Sequence, residues 1–132
     1  SSDFFLPGSI IRLDVDPTHP LGYGMNPDAV TLFARSQVLE PTVRRSGVST
    51  PVCYPETDYL VSGWTLGGDE YLAGQTATAQ VAVGSGQVVL FAFTPHFRGQ
   101  PRNTFKLLFN ALWGASTEGL PMDGGAACGA DR

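Results

Sequence analysis

Three side chains with the chemistry of a catalytic or binding site occur in two loop-like segments, His19 in THPLGYGM and His96 with Arg98 in TPHFRGQ. An imidazole can act as a general acid or base near neutral pH, and a guanidinium can bind a carboxylate or phosphate bidentately. His96 and Arg98 follow the apolar run at residues 87–93, and α/β folds place working residues at the carboxyl ends of central strands. These three residues form the candidate loop site. The alternative is a packed loop in which they only bond backbone groups.

A metal site has little support from the remaining ligand types. Asp14 and Asp16 are spaced to share one face of a strand, but they lack a third ligand nearby, and a solvent-facing strand end is the alternative. His19 and His96 are 77 residues apart, and neither cysteine belongs to a C-x-x-C pair. We therefore expect neither a metal nor a cofactor.

An activated nucleophile is also hard to find in this sequence. Ser85 lies between Gly84 and Gly86, but it joins two strand-like runs and lacks the wider G-x-S-x-G frame of a nucleophile elbow. The same glycines lack the third glycine and the lysine of a phosphate-binding loop, so the segment is typical of a hairpin turn. Cys53 has no flanking glycines. No catalytic residue is therefore assigned.

The two cysteines, Cys53 and Cys128, permit at most one disulfide. Cys128 lies in a Gly/Ala-rich tail at residues 115–132, which could reach many parts of a small domain. Neither the number nor the spacing of the cysteines requires a bridge, so two free thiols are the simpler interpretation and one disulfide is the alternative.

Composition limits the classes of protein that this chain can belong to. Its 132 residues suit one domain, and 42% apolar residues with 16 Gly and 10 Pro argue against both disorder and a helical bundle. Eight basic and twelve acidic residues give a net charge of −4, which disfavours nucleic acid as a partner. The longest apolar run, residues 88–93, is too short to span a membrane. The start at Ser1, without Met, suggests a processed chain or a fragment.

Alternation of apolar and polar residues predicts about five strands and one good helix. The clearest signal is a hairpin of residues 76–83 and 87–93 joined by a glycine-bearing turn. Asn103 can cap a helix, because Phe105, Leu108 and Leu112 recur behind it at helical spacing. Further strands are predicted at residues 9–16, 29–39 and 59–64. Residues 52–54 are a weaker candidate for a short strand, and residues 69–73 suit one helical turn.

The second hairpin strand is apolar on both faces, so we expect it to be central and covered. The helix that follows is the nearest cover. The predicted contact joins Val88, Leu90, Phe91 and Phe93 to Phe105, Leu108, Phe109 and Leu112. We expect Leu108→Ala to cost about 2–5 kcal/mol of stability.

Three segments together carry a resemblance to a known family: THPLGYGM, LVSGWTLGGDEYLAGQ and VAVGSGQVVLFAFTPHFRGQPRNTFKLLFNAL. They resemble the C-terminal domain of bacterial secreted zinc carboxypeptidase-like proteins of the M14 family, a domain similar to class I glutamine amidotransferases. The resemblance covers roughly residues 4–113 and is most specific at residues 84–112. It implies an α/β fold, a mixed, flavodoxin-like partial sheet of about five strands with one main C-terminal helix. The domains would then be an amidotransferase-like portion at residues 1–114 and the tail at 115–132.

The same resemblance argues against catalysis by this chain alone. A glutamine amidotransferase needs a cysteine on a strand-to-helix elbow, which would belong to an N-terminal half that this chain lacks. The zinc motif of the carboxypeptidase domain is also missing, because neither His19 nor His96 is followed by its glutamate.

The sequence therefore predicts a non-catalytic extracytoplasmic domain, periplasmic or secreted, with an accessory or interaction role. It would associate with a peptidase-like protein or serve as a subunit of a larger assembly, with another polypeptide chain or domain completing its sheet. The alternative is a hydrolase or amidotransferase-like enzyme fragment with His96 as general base and its nucleophile on another chain. A third possibility is small-molecule binding by the loops at residues 18–25 and 95–100.

Overall fold

The computed structural model describes residues 3–40, 47–117 and 128. Within these residues the chain forms six strands: β1 Pro7–Val15, β2 Asp28–Ala34, β3 Val48–Cys53, β4 Leu60–Ser62, β5 Thr76–Val83 and β6 Gly86–Phe91. It also forms the helices α1 Gly68–Tyr71 and α2 Phe105–Gly114, and three 3₁₀ turns at Pro20–Gly22, Phe97–Gly99 and Arg102–Thr104. Among these residues no helix is long and apolar enough to cross a membrane.

The strands form one sheet in the order β2-β1-β3-β5-β6, and every registered strand pair is antiparallel. Strand β1 pairs with β2 along one edge, while β3 and β4 share its other edge. Strands β5 and β6 form the expected hairpin, whose turn contains Gly84 at a φ of +60°. A left-handed backbone at this point favours glycine.

The expected flavodoxin-like α/β fold is wrong, because the sheet is antiparallel and not of the mixed, amidotransferase-like kind. Neighbouring parallel strands need crossover connections of about a dozen residues or more, usually through a helix. In the described part of the chain, the only helix longer than one turn is α2, and it follows the last strand. It therefore cannot connect two parallel strands of this sheet.

The core is built on β1, where Ile11, Leu13 and Val15 alternate with more exposed residues and are buried. This alternation is the period of a strand with one covered face. The core cluster also contains Ala29, Phe33, Val52, Tyr54, Tyr59, Leu72, Ala77, Phe93 and Leu107.

The predicted contact between β6 and the C-terminal helix is wrong. Helix α2 packs instead against the turn Pro20–Gly22, which lies shortly after the end of β1. Leu107, and not Leu108, is the fully buried residue of α2. Val88 and Leu90 of β6 consequently remain 43% and 45% exposed, and Phe109 of α2 is also exposed.

Cys53 at the end of β3 forms a disulfide with Cys128, with the two Cα atoms 5.6 Å apart. The backbone N–H of Cys128 also donates to Thr50 Oγ1 at 3.0 Å. The two free thiols that the sequence favoured are therefore wrong, and the single disulfide given as the alternative forms. The rest of the predicted weakly structured tail beyond residue 117 lies outside the described residues.

Candidate functional site

His19 is buried in the structure, with 1% of its surface exposed. Its Nδ1 accepts a hydrogen bond of 3.1 Å from the backbone N–H of Leu21, which caps the turn Pro20–Gly22. Its Nε2 lies 2.9 Å from Ser49 Oγ on β3. Burial lowers the pKa of His19, against an opposing effect of Asp16. The imidazole is therefore held neutral by its surroundings.

The Ser49–His19 pair has the separation of a catalytic dyad but the wrong proton arrangement. A general base must accept the serine proton at Nε2 while Nδ1–H donates to another group. Here Nδ1 is an acceptor, so in the neutral ring the proton sits on Nε2 and is donated to Ser49 Oγ. The serine hydroxyl is therefore not activated, and His19 serves to hold the loop on the sheet.

His96 and Arg98 lie on an exposed segment. Arg98 has a φ of +47°, and its guanidinium Cζ lies 5.4 Å from the centroid of the Phe97 ring, a cation–π contact. Within the described residues, no hydrogen bond or ion pair joins either side chain to His19. The described residues therefore show no bond that links these three candidate residues to one another.

The two aspartates considered as a pair have different roles. Asp14 lies opposite Asp28 on the neighbouring strand, and burial together with the Asp28 charge raises the pKa of Asp14. Asp16 ends the strand and accepts hydrogen bonds from the backbone N–H and the hydroxyl of Thr18. In the part of the chain that the structure describes, no three His, Cys, Asp or Glu side chains are grouped as a metal site would require.

Helix α2 fixes the segment at residues 18–25 through two side chains one turn apart. Asn110 Nδ2 donates to the carbonyl oxygens of Leu21, at 2.8 Å, and Tyr23, at 3.0 Å. Lys106 Nζ donates to Gly24 O at 3.2 Å. The close approach of this segment to β1 also requires a glycine at position 22, because a Cβ there would lie 2.0 Å from Asp16 O.

A cleft of about 310 Å³ lies between this segment and α2. We call it the aromatic cleft; residues 18–20 and 23 line it on one side, and residues 110, 113, 114 and 117 on the other. Tyr23 and Trp113 are 73% and 75% exposed. The cleft therefore combines two accessible aromatic rings with the polar side chains of Thr18, Asn110 and Thr117.

A smaller cleft of about 250 Å³ contains charged side chains. Arg102 and Lys106 line it, but Asp28 lines it too, and the Lys106 ammonium is already bonded to a backbone carbonyl. The negative charge of Asp28 and the existing bond of Lys106 both disfavour an anion. This cleft is therefore a weak candidate for an anion site, although two cationic side chains line it.

The sequence predicted the importance of the segment at residues 18–25 but not its partners Asn110 and Trp113. The sequence predicts the C-terminal helix but not which of its side chains face the segment at residues 18–25. The available signal was that Leu107 and Leu108 are adjacent and both apolar, which makes the helix apolar on more than one face. A short helix that packs on a loop cannot bury all of these residues.

Comparison of the chain with protein-family models, with curated proteins and with solved structures finds no match.

Proposed function

We propose that this chain is a non-catalytic accessory or interaction domain that works outside the cytoplasm. It associates with another polypeptide, such as the peptidase-like proteins that the sequence resembles, or serves as a subunit of a larger assembly. The observation that carries the proposal is the exposed, uncharged edge strand β6.

Strand β6 lies at the end of the sheet and, among the described residues, pairs only with β5. Edge strands of monomeric proteins usually carry a charge, a proline or a bulge that prevents pairing with other chains. The six residues of β6, GQVVLF, contain no charged residue and no proline, and their pairing with β5 is regular. This edge therefore retains the features that allow a partner strand to add to it.

The apolar face of the hairpin supports the same interpretation. Val83, Val88 and Leu90 point to one side of the sheet, since Val88 lies opposite Val81 and Leu90 opposite Ala79. All three are substantially exposed. A partner strand on β6 that brings its own apolar side chains would cover this face. We therefore propose that a strand of another polypeptide pairs with β6 and covers this face.

The disulfide supports a location outside the cytoplasm. Disulfides persist in the periplasm and in secreted proteins, whereas cytosolic reductants generally keep thiols reduced. The bridge joins β3 to a residue 75 positions further along the chain, and Cys128 is buried.

The absence of an activated hydroxyl at Ser49 supports a non-catalytic role. His19 donates to this serine and does not accept from it, so the most enzyme-like pair in the described structure lacks a general base. The enzyme alternative uses His96 with a nucleophile from another chain. Turnover of glutamine or a peptide by the assembled complex, abolished by His96→Ala, would establish that alternative.

The experiment compares the tagged chain, purified natively from the cells that produce it, with two matched variants. We expect size-exclusion chromatography with light scattering to give a heteromeric complex larger than the 14.0 kDa chain. The amide hydrogens of β6 should exchange more slowly in that complex than in the isolated chain. Leu90→Lys should abolish the complex, while Leu112→Lys, which alters an exposed leucine on α2, should leave it intact.

Any of three outcomes of the native purification would overturn the proposal. A stable, non-aggregating 14.0 kDa monomer would remove the need for a partner. A complex that survives Leu90→Lys, or a homodimer protected at β6, would show that the edge does not receive a strand from a different polypeptide.

A further inference from the structure

We propose that the aromatic cleft binds a neutral saccharide, with one pyranose ring placed against the aromatic side chains of Tyr23 and Trp113. This inference does not depend on a partner strand at β6. It rests on three properties of the cleft: its exposed rings, the acceptor atoms of its polar side chains and its lack of charge.

The two aromatic rings are available to a ligand. Tyr23 and Trp113 are each about three-quarters exposed, and neither ring stacks on another ring of the described residues. The face of an aromatic ring is electron-rich and attracts groups with positive edges. The C–H groups on one face of a pyranose ring supply such an edge, and covering them removes apolar surface of both partners from water.

The polar side chains of the cleft present acceptors. Asn110 uses its Nδ2 group on the carbonyls of Leu21 and Tyr23, so its amide orientation is fixed and Oδ1 remains free to accept. The hydroxyl of Thr18 donates to Asp16 Oδ1, and that of Thr117 donates to Gly114 O. Each oxygen keeps a lone pair for a ligand. Hydroxyl groups of a sugar are the donors that such acceptors require.

The lining carries no Asp, Glu, Lys or Arg, and its one histidine is almost fully buried. A phosphate or a carboxylate would enter without a countercharge, which makes charged ligands unfavourable here. A volume of about 310 Å³ is at the lower end of small-molecule sites. A ligand with an apolar face, several hydroxyl donors and no charge fits these conditions, and a monosaccharide or disaccharide has that chemistry.

The walls of the cleft are also fixed before a ligand arrives. Asn110 ties Tyr23 to α2, and His19 ties the same segment to β3 through Ser49. Little backbone ordering is then needed on binding, which limits the entropic cost. Affinity for a single ring is nevertheless small, and we expect a Kd on the order of 1 mM.

The test uses tryptophan fluorescence of the full chain carrying Trp64→Phe, which leaves Trp113 as the only indole. The probes are glucose, galactose, mannose, N-acetylglucosamine, cellobiose, maltose and diacetylchitobiose, with glycerol as a non-ring polyol control. We expect at least one saccharide, but not glycerol, to shift the emission to shorter wavelength and to protect Trp113 from acrylamide quenching.

Variants locate the binding in the otherwise unchanged chain, with isothermal titration calorimetry as the measurement. Trp113→Ala and Tyr23→Ala should each weaken binding by about tenfold or more. Leu112→Ala and the edge variant Leu90→Lys should leave it unchanged, and circular dichroism should show that all four variants are folded. The Leu90 variant separates failure of this inference from failure of the proposed function.

Any of three results would overturn the inference. The first is no protection of Trp113 by any of these saccharides at 50 times the expected Kd, roughly 50 mM. The second is binding that persists in Trp113→Ala. The third is binding that Leu112→Ala weakens as much as Trp113→Ala does, because that would indicate a broad apolar surface and not this cleft.

Discussion

At the scale of single residues, His19 has a structural role, although an imidazole could also act as a catalytic acid or base. It is buried, and both ring nitrogens are bonded within the protein, one to the Leu21 N–H and one to Ser49. A proton on Nδ1 would face the Leu21 N–H and break that bond. The neutral ring is therefore the form that holds the segment forming one wall of the aromatic cleft.

Stability should depend on pH through His19. Burial lowers its pKa below the ordinary value of about 6.5, so the unfolded chain binds a proton more readily than the folded one. Its contribution is complete above about pH 6.5 and is lost as the pH falls through that value toward the lower pKa of the folded state. Urea unfolding between pH 7.5 and 5.5 should therefore show a decline in the free energy of unfolding.

His19→Asn is the informative variant for this dependence. An Asn at this position can still accept from the Leu21 N–H but does not titrate, so the decline between pH 7.5 and 5.5 should shrink. His96→Asn is the matched control, because His96 is exposed, and it should keep the decline of the parent chain. Equal slopes in His19→Asn and the parent would contradict the role given to His19.

The opposed carboxylates of Asp14 and Asp28 give a second prediction. Burial and the Asp28 charge raise the pKa of Asp14, so ionised Asp14 is disfavoured in the folded chain. The resulting loss of stability is absent below the ordinary pKa of about 3.8 and complete above the raised one. Asp28→Asn should therefore raise the free energy of unfolding at pH 7 by about 0.2–0.5 kcal/mol, a value reduced for solvent screening.

The pH dependence identifies this effect. The gain from Asp28→Asn should disappear near pH 3, where Asp14 is protonated in both folded and unfolded chains. Glu70→Gln changes the net charge equally but on the exposed surface of α1, and chemical denaturation should show no similar gain. A gain that persists unchanged at pH 3 would point to another cause.

At the scale of elements, helix α2 has a buried side that its sequence pattern did not reveal. Leu107 is fully buried in the core cluster, whereas Leu112 is exposed. Leu107→Ala should therefore lower the free energy of unfolding by about 2–5 kcal/mol, through lost burial and a residual cavity. Leu112→Ala should change it by less than about 0.5 kcal/mol. Thermal or urea unfolding measures both, and similar costs for the two variants would contradict this packing.

Local sequence signals explain why some elements could be predicted and others could not. The β5–β6 hairpin follows from two β-rich runs and a glycine turn within 16 residues, so its signal is local. The pairing of β1 with three different strands is not local, because alternation identifies a strand but not its neighbour. The predicted fold is wrong at this step, because the resemblance implied a mixed, flavodoxin-like sheet and the strands pair antiparallel.

The candidate site was predictable only in part for the same reason. The dense glycine and proline content of THPLGYGM marks an ordered loop, and the structure gives this loop a cleft. Its opposite wall comes from Asn110 and Trp113, almost 90 residues away. No local pattern joins these segments, since the contact depends on which side of α2 enters the core.

At the scale of the whole molecule, two surfaces lie on separate elements. The edge strand β6 offers backbone groups and an apolar face, whereas the aromatic cleft lies between α2 and the segment after β1. We therefore expect Leu90→Lys to disrupt only the proposed partner association, and Trp113→Ala to disrupt only the proposed saccharide binding.

The disulfide joins the end of strand β3 to Cys128 and gives the last prediction. Cys53 and Cys128 are separated by 75 positions, so the bridge restricts a large part of the unfolded chain. In the chain-entropy model such a loop raises the free energy of unfolding by about 4 kcal/mol, and measured values are typically about 2–4 kcal/mol. Cys128→Ala should therefore lower the free energy of unfolding by about 2–4 kcal/mol in urea titrations without reductant.

Cys53→Ala should lower the free energy of unfolding by a similar amount. The double variant should lower it by no more than about 1 kcal/mol beyond either single variant, because the two sulfurs act as one bond. Dithiothreitol should destabilise the parent chain but not Cys128→Ala. A parent chain whose urea midpoint is unchanged by full reduction, verified by thiol titration, would show that this bridge does not stabilise the fold.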